Sequence, residues 1–185
     1  PVLTAPHMGG GLVSAYLGRR SSQAWVVQAV RPARPDEEEL VLPASVDMFV
    51  GELGYDPTAD GLGYRRHVSW LIEQGRSYIV LDDGAGHPIR PGSPREVAFK
   101  ADVGALWRSP SGGVAQLTGV WTRPDLRGRG VGAAALAGVV DAVYRDHVGA
   151  DGVVSLYVND YNAAARAVYE HVGFRQVGEL ATILY

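Results

Sequence analysis

Three features of this sequence predict a mixed α/β fold. Helix-forming segments lead, three β-rich runs follow one another closely, and a strand–helix–strand unit closes the chain. Of the 185 residues, 46% are hydrophobic and 20% charged, which suits one packed domain and excludes wholesale disorder.

The elements read as follows. Residues 1–24 lack periodicity and carry the Gly9-Gly10-Gly11 run, so they are expected to be a linker or the remnant of an upstream region. The start at Pro1 rather than Met agrees with that, and residues 25–185 are then the domain. Residues 25–30 (WVVQAV) are β-rich and predict a first strand. Asp36 offers an N-cap to a helix with Glu37, Glu38 and Glu39 in its first turn, a solvated start that suits the helix dipole. That helix, reaching about Leu53, must accommodate Pro43 by a kink or a break. Residues 63–74 form a second helix stopped by Gly75. A strand over 76–81, a Gly/Pro-rich hairpin or mobile loop over 82–94, and strands over 97–107 and 114–122 come next. In the last of these, simple alternation puts Ala115, Leu117, Gly119 and Trp121 on one side. Residues 130–145 are a helix, with Val131, Ala135, Val139 and Ala142 at helical spacing. A strand over 153–158, a helix over 161–171 and a β segment over 174–185, interrupted at Gly178, complete the chain.

Composition removes several classes of function. With no cysteine there is no disulfide framework, thiolate zinc site or cysteine nucleophile. A net charge of -3 argues against a general electrostatic grip on nucleic acid. The longest apolar stretch, residues 130–140, falls short of the roughly 20 residues a membrane span needs, so neither membrane nor nucleic acid is an expected partner and a cytoplasmic location is the expectation. The five histidines share no metal-binding spacing, so no metal is expected. Of the seventeen basic residues only Lys100 is lysine, an arginine bias associated with high-GC bacterial coding.

The chemistry concentrates where a strand runs through a short loop into a helix, at Thr122-Arg123-Pro124-Asp125-Leu126-Arg127-Gly128-Arg129-Gly130-Val131-Gly132. A helix N-terminus presents unpaired N–H groups and partial positive charge, which suits a phosphate or pyrophosphate. Glycines let the backbone approach such a ligand, and Arg127 and Arg129 add charge. The spacing is neither Gly-x-x-x-x-Gly-Lys-Ser/Thr nor the dinucleotide pattern.

Residues 127–132 resemble the Arg/Gln-x-x-Gly-x-Gly/Ala signature of the GNAT superfamily of acyl-CoA-dependent N-acyltransferases. A second block, Asn162-Ala163-Ala164-Ala165-Arg166-Ala167-Val168-Tyr169-Glu170-His171-Val172-Gly173-Phe174, is similar to the family's Asn-x-x-Ala-x-x-x-Tyr-x-x-x-Gly-Phe with every spacing kept. The resemblance is specific over residues 114–174 and extends to high-GC bacterial members with an extra N-terminal domain.

The resemblance implies an α/β GNAT fold: a mixed, mostly antiparallel sheet with its fourth and fifth strands (114–122 and 153–158) splayed, and helices on both faces. It implies acetyl-CoA as co-substrate and a primary amine as acceptor, attacked directly in a ternary complex. A β-bulge is expected at Gly119, since an isolated strand glycine marks such a site. The backbone around Val120, Trp121 and Thr122 would hold the pantetheine arm and polarise the thioester carbonyl. The N–H groups from Gly128 through Arg129, Gly130, Val131, Gly132 and Ala133 would hold the pyrophosphate, with Arg127 beside them. Asn162 matches the family's cofactor-contacting asparagine; Asn159 is either a further contact or the helix cap. Tyr169 matches the tyrosine that protonates the leaving thiolate, a step that such acids accelerate by about 10²–10⁴.

The general base departs from the pattern. Tyr157 stands where some relatives have glutamate, and strand 114–122 offers only Gln116. Glu52, Glu73, Asp102 and Asp160 remain as candidates. The missing base favours an acceptor α-amine over a lysine-like amine, because their pKa values differ by roughly 2.5 units, about 3.4 kcal/mol. The alternative function is a non-catalytic acyl-CoA-binding regulatory module; a plain phosphate-loop nucleotide binder is a third. Acceptor identity and oligomeric state, monomer or homodimer, stay open.

Overall fold

The computed structural model describes residues 1–5 and 23–181. In chain order its elements are β1 (Val2–Ala5), α1 (Ala24–Ala29), β2 (Arg31–Pro32), α2 (Glu38–Leu53), α3 (Gly63–Glu73), β3 (Ser77–Asp82), β4 (Glu96–Ser109), β5 (Gly112–Thr122), α4 (Val131–Val143), β6 (Val153–Tyr157), α5 (Ala163–Val172) and β7 (Arg175–Gly178). The strands form one sheet in the order β2-β3-β4-β5-β6-β1-β7. All neighbours are antiparallel except β5 and β6, which run parallel.

Alternation along the strands creates two apolar layers. On β3, Tyr78 and Val80 join one core, which also holds α1, α4 and α5 residues such as Val26, Leu136 and Val172. Ile79 and Leu81 join the other, with Val41 and Ala44 of α2 and Val68 and Ile72 of α3. Helix α4 is buried on nearly every side, the pattern of a helix enclosed by sheet and neighbouring helices. No helix of the described residues is long and apolar enough to cross a membrane.

Tertiary packing overrides several local expectations. Residues 25–30 form helix α1, not a strand. Helix α1 crosses α4 at Gly138, where a Cβ would stand 2.9 Å from the Val27 carbonyl and 2.8 Å from a Val30 methyl. Close helix packing on that glycine outweighs the β preference of the valines. Residues 1–24 are not linker throughout: Val2–Ala5 is strand β1, seated between β6 and β7 with Leu3 and Ala5 buried. Residues 6–22 and 182–185, including the Gly9-Gly10-Gly11 run and the end of the expected closing segment, lie outside the described residues.

Helix α2 runs through Pro43 as one element, so of the expected kink or break the division into two pieces does not occur. A 3-10 turn over Pro35–Glu37 precedes it, so Glu37 rather than Asp36 occupies the N-cap position. Nor is Glu37 solvated. Its side chain is 2% exposed and receives both arms of Arg31 at 2.7 and 2.8 Å, with Arg95 at 3.1 Å. Burial works against its charge, but the Arg31 hydrogen bond, the Arg34 N–H and the two arginine charges win and bring its pKa to about 2.

Candidate active site

The site begins with a flaw in the sheet. On β4 and β5 the pairing passes from Asp102 opposite Thr118 to Lys100 opposite Trp121, so Gly119 and Val120 together face the single residue Ala101. This is a β-bulge, and its Gly119 has φ +57°, a left-handed conformation that glycine adopts without strain. The extra residue reverses the alternation beyond it. Trp121, expected beside Ala115 and Leu117, instead packs in the opposite core with Ile79 and Val41, and its indole N–H donates to Asp47 of α2 at 2.8 Å.

The bulge also marks the end of pairing on the other edge of β5. The parallel ladder to β6 covers Val114 to Leu117 and stops there. Beyond it the strands part, leaving residues 118–122 with one edge turned toward a cleft of about 630 Å³, within the usual range for ligand sites. One end of the cleft is the loop after β5. A 3-10 turn (Pro124–Leu126) leads to Gly128 and Gly130, at φ +71° and +81°, and Gly130 is the N-cap of α4. At Gly132 a Cβ would meet the Thr122 hydroxyl at 2.7 Å, so helix and strand approach as closely as glycine allows. Arg123 braces this loop through a bidentate pair with the buried Asp82, at 2.7 and 2.8 Å, which raises its pKa further.

Most of the residues singled out by sequence meet in this cleft. Val120, Trp121, Thr122, Arg127, Gly128, Gly130, Gly132, Ala133, Asn162 and Tyr169 all line it. Three do not. Val131 is buried in the core beneath the loop, and the Arg129 guanidinium turns toward the Asp125 carbonyl. Asn159 donates to the Tyr161 hydroxyl at 2.8 Å, and the cap of α5 belongs to Asn162, whose Oδ1 accepts from the Ala165 N–H at 3.1 Å. Capping therefore leaves Asn162 its amide NH₂ for a ligand. Arg127 spends its Nε on the Thr122 carbonyl at 2.9 Å, so that carbonyl is partly engaged by the protein itself.

Tyr169, on α5, is 8% exposed, with its ring 5.8 Å from that of Phe174. Burial first, and then the charge of Glu52, push its pKa up to about 12, which keeps the phenol protonated at neutral pH.

The opposite end of the cleft is built from residues whose roles local sequence does not disclose. Asp47, Met48, Gly51 and Glu52 reach it from one face of α2. Beneath the bulge lies Lys100, the chain's single lysine, fully buried. Its ammonium pairs with Asp102 at 2.5 Å and donates to the Gly119 carbonyl at 3.3 Å, while Ser77 Oγ donates to the other Asp102 oxygen at 2.8 Å. The sequence marks Lys100 only as the single lysine of an arginine-biased chain; the tertiary structure places it under the bulge. With Lys100 neutralised by Asp102, the charge of the cleft divides. Arg127 stands at the loop end, and Asp47 and Glu52 stand at the other. His171 of α5 also lines the wall. Glu73 and Asp160, two of the four candidate bases, do not.

Residues 70–174, more than half of the chain, match the model of a family described as the acetyltransferase (GNAT) family. A mycothiol acetyltransferase of Salinispora arenicola is 33% identical over 157 residues, 80% of this chain and 44% of that protein. One from Beutenbergia cavernae is 26% identical over 95% of this chain and 49% of that protein. The chain thus spans about half the length of these relatives. The crystal structure of a predicted acetyltransferase with acetyl-CoA from Clostridium acetobutylicum superposes with a TM-score of 0.57 at 16% identity, covering 84% of this chain and 94% of that one, a likeness of fold.

Proposed function

Since the chain belongs to the acetyltransferase (GNAT) family, we propose that it transfers an acetyl group from acetyl-CoA to a primary amine by direct attack in a ternary complex. The observation that carries this reading is the continuity of the cleft. Strand backbone at 120–122 beyond the end of the β6 ladder, a glycine-lined helix N-terminus and a buried tyrosine adjoin in one cavity, as an extended thioester with a pyrophosphate at one end requires.

The chemistry follows from those groups. The pantetheine arm would lie along residues 120–122 in place of the missing β6 ladder, donating to and accepting from strand backbone there, with the Thr122 carbonyl shared with Arg127. The pyrophosphate would meet the N–H groups at the start of α4, where the helix dipole favours negative charge, with Arg127 beside it. The reaction itself needs a neutral amine, a polarised thioester carbonyl and an acid for the sulfur. Backbone N–H groups beside the bulge supply the second. Tyr169 supplies the third, its proton meeting the thiolate as the C–S bond breaks. The acidic Asp47 and Glu52 suit a cationic acceptor at the far end of the cleft. Mycothiol-type acceptors belong among those to test, because both relatives carry the name mycothiol acetyltransferase.

The test is thermal stability with and without acetyl-CoA, on wild type and Gly130→Glu, followed by thiol release over a panel of amines. At a hundred times its dissociation constant the ligand adds roughly 2.7 kcal/mol. Gly130→Glu should lose that gain, since it sets a carboxylate where the pyrophosphate belongs. No stabilisation of the wild type would overturn the acetyl-CoA reading, whereas stabilisation without turnover of any amine would favour an acyl-CoA-binding module.

A further inference from the structure

Of the four carboxylates that the sequence leaves as proton acceptors, Glu52 is the one that lines the cleft. Asp102 is locked between Ser77 and Lys100, while Asp160, 3.9 Å from Arg166, and Glu73, at the end of α3, lie outside the cleft; Glu52 is also open to solvent but stands in the cleft wall. Asp47, the other carboxylate in the wall, accepts the Trp121 indole N–H. Among the described residues no hydrogen bond or ion pair holds the Glu52 carboxylate.

Its position on α2 sets it at the reacting end. Met48, one turn earlier on the same face, has its terminal methyl 3.4 Å from where a Cβ on Gly119 would stand, so this face of the helix covers the bulge. Lys100 faces it from β4, Tyr64 from α3, Tyr169 from α5 and Asp47 from its own helix, and His171 of α5 shares the cleft wall. Glu52 feels the charge of Lys100, and both tyrosines feel the charge of Glu52.

Resting on the acetyltransferase reading of this cleft, we propose that Glu52 is the general base, which takes the proton of the acceptor ammonium and frees the amine inside the site. The ammonium gives one proton to the carboxylate, directly or through one water. The nitrogen lone pair then forms the C–N bond while the carbonyl electrons move onto oxygen. Collapse breaks the C–S bond, and the sulfur leaves with the electron pair and takes the Tyr169 proton. The second proton lost by the nitrogen restores the tyrosine through water, and Glu52 returns its own to solvent. The net reaction releases one proton, one amide and coenzyme A.

Base and acid are electrically linked in this arrangement. Partial desolvation in the cleft wall holds the Glu52 carboxyl above the usual carboxylate range, and Lys100 limits that rise. The ionised carboxylate in turn helps hold Tyr169 high. Once Glu52 accepts a proton its charge disappears, and Tyr169 becomes the stronger acid just before the sulfur needs it. The geometry therefore serves a high-pKa amine as well as an α-amine, against the preference drawn from sequence alone.

The experiment measures kcat/KM against pH for wild type, Glu52→Gln, Glu52→Asp, Glu73→Gln and His171→Gln. The probes are a simple alkylamine and an alanyl dipeptide, and acetyl-CoA affinity is measured in parallel. Glu52→Gln should bind acetyl-CoA as wild type does and lose about 10²–10⁴-fold in kcat/KM with the alkylamine near neutral pH. The loss should shrink as the pH approaches the amine's own pKa, near 10.4, and be smaller for the dipeptide, near 8. In Glu52→Gln the wild-type fall in rate on the acid side should give way to one that begins at the amine's own pKa, Glu52→Asp should regain part of the rate, and Glu73→Gln should match wild type. Glu52→Gln within about threefold of wild type with the same profile overturns the assignment, as does loss of acetyl-CoA affinity in that variant. If His171→Gln moves the acid-side fall to the amine's own pKa and Glu52→Gln does not, the base is His171. Wild-type inactivity with every amine overturns the acetyltransferase reading and this assignment together; activity in Glu52→Gln overturns only the latter.

Discussion

Replacing Gly119 by alanine tests whether the bulge and the buried ion pair beneath it form one device. The backbone there sits at φ +57°, which costs an L-residue roughly 1–2 kcal/mol. The added methyl would stand 2.7 Å from an Asp102 oxygen and 3.1 Å from the Lys100 ammonium, both too close, and neither is the loose end of a surface side chain. Breaking a buried pair outright costs about 3–5 kcal/mol, so the total for Gly119→Ala lies between about 2 kcal/mol, if the pair shifts, and about 7 kcal/mol, if it breaks. Urea unfolding reads that loss, and calorimetric titration with acetyl-CoA reads its effect on the cleft. A second background separates strain from collision. In Lys100→Met/Asp102→Leu both charges are gone together, and alanine at 119 should cost only the backbone term of about 1–2 kcal/mol. Equal cost in the two backgrounds would refute the coupling. So would a destabilised Gly119→Ala whose acetyl-CoA affinity, measured on the folded fraction, equals that of wild type.

Two further outcomes follow from the same geometry. Tyr169→Phe keeps the ring packed against Phe174 and removes only the hydroxyl, so acetyl-CoA affinity should persist while kcat falls by about 10²–10⁴; unchanged kcat in a steady-state assay would remove Tyr169 from the chemistry. Glu37 makes stability depend on pH. Its folded pKa of about 2 lies below the ordinary 4.5, so its contribution is present above about 4.5 and is lost as pH falls through about 2. The difference amounts to about 3 kcal/mol, so Glu37→Gln should unfold at lower urea than wild type at pH 7, and the gap should close by pH 2–3.

The division between what was legible and what was not follows the range of the forces involved. The loop at 122–132 and the Asn162–Phe174 block could be read directly because their function depends on spacing along the chain: a glycine at a helix start, an asparagine and a tyrosine on one helix. The bulge was also legible, since a lone strand glycine between Thr118 and Val120 has few other reasons to exist. The helix at 24–29 was not, because its valines prefer strands in isolation and become helical only against Gly138 of α4. Four residues at the N-terminus are too few to announce a strand, and β1 exists through its pairing with β6 and β7.

Sequence alone determined the α/β class, the family and the block of residues around which the site is built. Only the tertiary structure decided that Trp121 turns to α2, that Lys100 lies under Gly119, and that Glu52 rather than Glu73, Asp102 or Asp160 stands in the wall. Those choices depend on one inserted residue in a ladder and on the angle at which α2 crosses it, quantities set by packing across the sheet and carried by no local stretch of chain.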